Sequence, residues 1–169
     1  DSIMGLYGLV ADGEGGPEIF AVATKRDQAK IVWQEAKRMV QKSPALRKRI
    51  RTLTYDIFSD FNDGVFKALA SDADSLDGLN IHVVIMDEWH QWKNGRALYD
   101  IMADGITARE QPLIIMTSTA GTIREDIFDE IYEEAEIQFN NLKLGNEVDD
   151  RTLFFVYELD KKEEWRDAN

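Results

Sequence analysis

The chain has 169 residues, 44% hydrophobic and 31% charged, the balance of a globular domain with its own core rather than of a disordered tail. Acidic residues outnumber basic ones 32 to 20, and the resulting net charge of −12 argues against a general nucleic-acid binder, because phosphate contacts need clustered cations. Cysteine is absent, which excludes disulfides and thiolate metal sites, and His82 and His90 are too few imidazoles for an ordinary zinc centre. No apolar run is long enough to cross a bilayer and no signal peptide is visible, so an intracellular soluble protein is the default expectation.

Residues 1–11 read as a helix already under way, with Ile3, Met4, Leu6, Tyr7 and Val10 on a helical period. The run from Asp12 to Pro17, with three glycines, breaks it. Because a domain rarely begins inside an uncapped helix, a missing upstream segment is expected. Glu18 to Thr24 favours a strand. Thr24 then occupies an N-cap position with Asp27 three residues on, and the helix that follows to about Lys42 buries Ala29, Val32, Trp33, Ala36, Met39 and Val40. Pro44 opens a short basic helix ending near Arg49. Lys42, Arg47, Lys48, Arg49 and Arg51 crowd together there, either as a solvated helix end or as a contact for a nucleic-acid backbone or a neighbouring subunit.

Residues 52–70 predict two short strands joined around Asn62-Asp63-Gly64, residues suited to a tight turn. Ser71 to Asn80 is a polar, acidic loop. Ile81 to Met86 is the clearest buried strand, since consecutive apolar residues are expected where both faces of a parallel sheet are covered. A helix over Arg96 to Thr107 and a second buried strand, Pro112 to Met116, come next. Thr122 and Glu125 form a capping box for a helix with Ile123, Ile127, Ile131 and Ala135 on one face. Thr152 to Glu158 is a last strand, and the tail from Asp160 is charged. Strands alternating with helices predict an α/β fold with a mainly parallel sheet.

Two strand ends carry the chemistry. Asp87 and Glu88 directly follow the buried strand, and ligands of open parallel sheets bind outside the carboxyl ends of the strands. Two adjacent carboxylates there can divide labour, one holding Mg²⁺ and the other orienting a water for attack on a γ-phosphate. The same pair also reads as the start of a loop or a helix cap. Thr117, Ser118 and Thr119 end the next strand, where hydroxyls could reach phosphate or its attacking water, or form a turn with an N-cap.

These segments together resemble a known family. ATKRDQAKIVWQEAKRMV, SDADSLDGLN, VVIMDEWHQWK and ARxQPLIIMTSTAG, with Glu110 at the open position, are similar in order and spacing to the ATPase half of tailed-phage large terminases, from about Leu6 to Asp160. The resemblance implies a P-loop NTPase-like three-layer fold, a mainly parallel sheet flanked by helices and truncated at its N-terminus. It implies a parent enzyme that uses ATP and Mg²⁺ to translocate double-stranded viral DNA into a procapsid, with a C-terminal nuclease domain that cuts concatemeric DNA. Portal and small terminase subunit are implied as partners, with a homo-oligomer, no membrane, and the host cytoplasm as location. Asp87 matches the family's Walker B metal carboxylate and Glu88 its catalytic glutamate. Thr117, Ser118 and Thr119 match the segment coupling hydrolysis to movement. Thr24 to Gln28 matches a motif after the second strand. On this reading 1–160 is a partial ATPase domain and 161–169 a tail or the start of a linker.

The chain departs from the family in two places. It contains no Gly-x-x-x-x-Gly-Lys-Ser/Thr string and no Gly-Lys pair, so the phosphate-gripping loop is expected a few residues before Asp1. Without it the 169-residue piece is expected to bind ATP weakly or not at all, and open strand edges favour dimerisation or rearranged pairing. Some members also place an arginine, proposed to act on a neighbour's nucleotide, where this chain has Asp77. Arg109 is a substitute candidate, or an ordinary surface arginine. Other readings of the chain are a helicase-like DNA motor and a non-catalytic interaction module.

Overall fold

Seven residues from Ile81 to Asp87 form the strand around which the domain is built, and the six from Ile81 to Met86 are all buried. The structure, a computed structural model, describes residues 1–70, 78–92, 94–119 and 127–157. Its elements in chain order are α1 (Ser2–Val10), β1 (Glu18–Ala23), α2 (Arg26–Lys42), β2 (Ile50–Thr52), β3 (Asp56–Ser59), β4 (Gly64–Ala70), β5 (Ile81–Asp87), α3 (Gly95–Gly105), β6 (Leu113–Thr117) and α4 (Ile127–Leu144). The chain divides into two compact units, 1–128 and 129–169.

In the first unit the six strands make one sheet in the order β2-β3-β4-β1-β5-β6. The neighbours β4-β1, β1-β5 and β5-β6 run parallel, while β2-β3 and β3-β4 are antiparallel. The expected α/β architecture with helices flanking a mainly parallel sheet is therefore the one observed. Both faces of the central strands are covered. Ile19, Ala21, Val83 and Ile85 join a core with Leu6 and Leu9 of α1 and with Ala29, Val32, Trp33, Ala36 and Val40 of α2. The alternate residues Phe20, Val22, Val84 and Met86 are also buried. That double burial explains the unbroken apolar runs.

Helix α2 buries the face its period predicts, and Trp33 also donates its indole N–H to Phe66 O at 3.0 Å. Its start differs from expectation. Lys25, not Thr24, takes the N-cap position without a side-chain cap bond, and Thr24 Oγ1 instead bonds Gln28 Oε1 at 2.7 Å. Helix α1 forms where expected but turns another face inward. Gly5, Leu6, Gly8 and Leu9 are buried, whereas Ile3, Met4 and Tyr7 are exposed. The glycines let the helix lie directly on the sheet. A Cβ on Gly8 would stand 2.5 Å from Val83 Cγ2, and one on Gly5 would stand 2.7 Å from the Phe66 ring.

The hairpin between β3 and β4 turns at Asp63, in the left-handed region at φ 57. Asn62 fixes it, accepting from Gly64 N and donating to Leu9 O at 2.9 Å. The basic segment is not the predicted helix throughout. It is a 3₁₀ turn over Leu46–Lys48 followed by β2, with its cations exposed and Arg51 bonded to Asp60 at 2.7 and 2.8 Å.

Two further expectations are corrected. β6 is half-buried rather than core, with Leu113 exposed, because among the described residues it has β5 alone as a neighbour. Residues 152–157 form no strand. Leu153, Phe155 and Tyr157 are exposed there, since an apolar alternating run becomes a strand only where a ladder partner meets it. The Thr122–Glu125 capping box, most of the acidic loop 71–80, and Glu158 with the charged tail lie outside the described residues. No helix among those described is long and apolar enough to cross a membrane.

Candidate functional site

The first-unit sheet brings the two chemical segments together at one end. β5 and β6 are parallel and in register from Val83↔Leu113 to Asp87↔Thr117, so both strands deliver their carboxyl ends to the same place. Thr117 Oγ1 donates to Asp87 Oδ1 at 2.8 Å. The backbone N–H of Glu88 reaches the same oxygen at 3.0 Å. Asp87 Oδ2 has no hydrogen-bond partner among the described residues.

Consecutive residues of a strand point to opposite faces, so adjacent carboxylates do not ordinarily meet the same neighbours. Here the backbone resolves the conflict. Glu88 leaves the strand in the left-handed region, φ 50 and ψ 37, a conformation that costs a non-glycine residue about 1 kcal/mol or more. After that turn, Glu88 Oε2 accepts from Thr119 Oγ1 at 3.3 Å. Each acid therefore has a hydroxyl partner two residues apart on the neighbouring strand end. Glu88 keeps 31% of its side chain exposed, so water can approach it.

The turn is braced from behind. Trp89, His90 and Gln91 form a 3₁₀ turn in which Trp89 and His90 are buried. Trp89 packs on Phe128 with ring centroids 5.0 Å apart, and Trp92 Nε1 donates to Asp87 O at 3.3 Å. His90 Nδ1 lies 2.7 Å from Ser118 Oγ and 3.3 Å from Glu88 Oε2. The two-residue repeat of an extended segment explains the division: Thr117 and Thr119 meet the acids, while Ser118 meets the imidazole. Sequence reasoning had set His90 aside as one of two imidazoles. The available signal was its place three residues after Asp87, but nothing in the sequence shows that the turn folds it back.

The other candidates lie elsewhere. Arg109 is not an ordinary surface arginine. Its side chain is 6% exposed and bonds Glu14 Oε1 at 2.9 Å, Gly15 O at 3.0 Å, Gly16 O at 2.8 Å and Asn80 O at 3.0 Å. Asn80 precedes β5, so Arg109 works at the opposite end of that strand, roughly 25 Å from Glu88 at the usual strand rise. Nearby, buried His82 pairs with Asp12 Oδ2 at 2.7 Å. His82 is the extra residue where the β1–β5 register shifts.

Comparison with known proteins bears on the family and the fold. The family described as "Terminase large subunit, ATPase domain" matches residues 1–137. Protein YmfN of Escherichia coli (strain K12) is 33% identical over 93 residues, covering 54% of this chain and 19% of YmfN. The crystal structure of the HK97 bacteriophage large terminase superposes with a TM-score of 0.68 at 22% identity, over 99% of this chain and 35% of that one. The large terminase ATPase domain of Thermus phage P74-26 gives a TM-score of 0.57 at 17% identity, over 79% of this chain and 57% of that one. At such identities the two structures speak for the fold, and the chain spans well under two thirds of each relative's length. It is the family match, across most of the chain, that makes this protein a member of the terminase large-subunit ATPase-domain family.

Proposed function

We propose that the chain carries the metal-binding and water-activating half of an ATPase centre in a DNA-packaging motor. The observation that supports this best is the double pairing across two parallel strand ends, Asp87 with Thr117 and Glu88 with Thr119. Asp87 is the metal carboxylate. Its Oδ1 is fixed by two donors, which leaves Oδ2 for a cation. Among the described residues no group of three or more acids or histidines could hold a metal alone. That donor set suits Mg²⁺, which keeps several waters and is usually held by one or two carboxylates together with substrate phosphates. Bound there with ATP, Mg²⁺ would neutralise charge on the phosphate oxygens. Glu88 orients a water and accepts its proton. Thr117, Ser118 and Thr119 register the state of the acids and pass it along β6.

The same reading assigns the whole protein, of which this chain covers a part, to translocation of double-stranded viral DNA and to cleavage of concatemers by a separate nuclease domain. Its partners are then the portal, the small terminase subunit and further copies of itself, in the host cytoplasm. The 169 residues alone bind Mg-ATP weakly or not at all, because they contain no glycine-lysine phosphate loop.

ATP hydrolysis by the complete large subunit tests the proposal. Glu88→Gln should lower kcat by roughly 10²–10⁴-fold while nucleotide still binds. Hydrolysis at the wild-type rate in that variant would overturn it.

A further inference from the structure

We propose that His90 is a positioning residue that ties Glu88 to Ser118 through a single shared proton, an inference that rests on the role given to Glu88 above. The imidazole has little freedom. It is 8% exposed, follows the left-handed turn at Glu88, and stands edge-on to the Phe128 ring at 6.4 Å. Buried Trp89 opens the 3₁₀ turn and buried Trp92 follows it, on either side of His90 in the chain.

Ser118 Oγ has its shorter contact with His90 Nδ1 at 2.7 Å and a longer one with Thr119 O at 3.1 Å. Glu88 Oε2 lies 3.3 Å from the same nitrogen, and a carboxylate is an acceptor only, so attraction between them requires a proton on Nδ1. A proton placed there stands between two oxygens, one following β5 and one following β6.

The two contacts differ in length, and this gives the arrangement its use. With Ser118 as the nearer acceptor, Glu88 is held loosely and can swing toward a water. If Ser118 withdraws, the N–H turns fully to Glu88 and holds the carboxylate back. The position of the coupling segment thereby sets the freedom of the water-orienting acid.

Two measurements test this. In the complete large subunit, His90→Phe should lower kcat for ATP roughly ten- to a hundredfold, as loss of an outer-shell partner does, with KM for ATP nearly unchanged. His90→Gln, whose amide can donate to the same acceptors, should restore part of it. Ser118→Ala combined with His90→Phe should cost no more than the worse single change. Full activity in His90→Phe, or equal loss in Phe and Gln variants with a lowered thermal midpoint, would overturn the proposal. Glu88→Gln runs alongside: if it hydrolyses normally, the Glu88 reading itself has failed, whereas an inactive Glu88→Gln beside a normal His90→Phe rejects His90 alone. The second measurement needs no turnover. In the ¹⁵N-histidine-labelled chain, the His90 proton should reside on Nδ1, and its resonance should move in both Ser118→Ala and Glu88→Gln. A proton on Nε2, or a resonance blind to Glu88→Gln, would overturn the proposal.

Discussion

Replacing Arg109 by alanine separates two meanings of one residue. As a staple, Arg109 holds the glycine-rich turn after α1 against the start of β5, through Glu14 and the carbonyls of Gly15, Gly16 and Asn80. Breaking a buried ion pair by removing one partner costs about 3–5 kcal/mol. Glu14 is 22% exposed and the freed carbonyls belong to a loop that water can reach, which brings the expected loss to about 2–3 kcal/mol. For a chain of this size each kcal/mol lowers the thermal midpoint by about 2–4 °C, so Arg109→Ala should melt roughly 5–10 °C earlier. Arg109→Lys should recover less than half, because one ammonium cannot span four oxygens. Differential scanning fluorimetry of the chain reads this directly. An unchanged midpoint, together with lost ATP hydrolysis in the complete subunit, would refute the staple and return Arg109 to the list of residues acting on nucleotide.

Gly8→Ala should destabilise by about 1–2 kcal/mol in denaturant titration, because the helix gains about 1 kcal/mol in propensity but the new methyl overlaps buried Val83. Thr117→Val removes the hydroxyl on Asp87 Oδ1 yet leaves the Glu88 N–H bond in place, so ATP hydrolysis should fall roughly tenfold while circular dichroism is unchanged. In the second unit, hydrogen bonds from Arg151 hold the Asp149 carboxyl below its ordinary range. The small stability this lends is present at neutral pH and lost as pH falls through the lowered value. An NMR titration should show Asp149 returning toward the ordinary range in Arg151→Ala, with only a slight loss of stability at neutral pH because both groups are solvated.

What the sequence revealed, and what it hid, follows the range of the forces involved. β5 was legible because burial on both faces leaves an unbroken apolar run. The inner face of α2 was legible because a helical period with one wet side is unambiguous. The period of α1 located the helix but not its inner face, since two glycines facing the sheet carry no hydrophobic signal of their own. The 152–157 run has strand chemistry, yet forming a strand depends on a partner that local sequence does not specify. Asp87, Glu88, Thr117 and Thr119 could be nominated from their places at strand ends. Their pairing needed the in-register β5–β6 ladder and the left-handed turn at Glu88, which its residue type gives no reason to expect. The Arg109 network joins residues more than ninety positions apart, and His90 meets Ser118 across twenty-eight. No pattern within one element announces either.

β6 has a mechanical consequence. β5 is gripped by ladders on both sides, from β1 and from β6, whereas the described residues give β6 five rungs on one side only. Two ladders hold the backbone that carries the acids, and one, among the described residues, holds the backbone that carries the hydroxyls. Amide hydrogen exchange in this chain should therefore be slower along β5 than along β6.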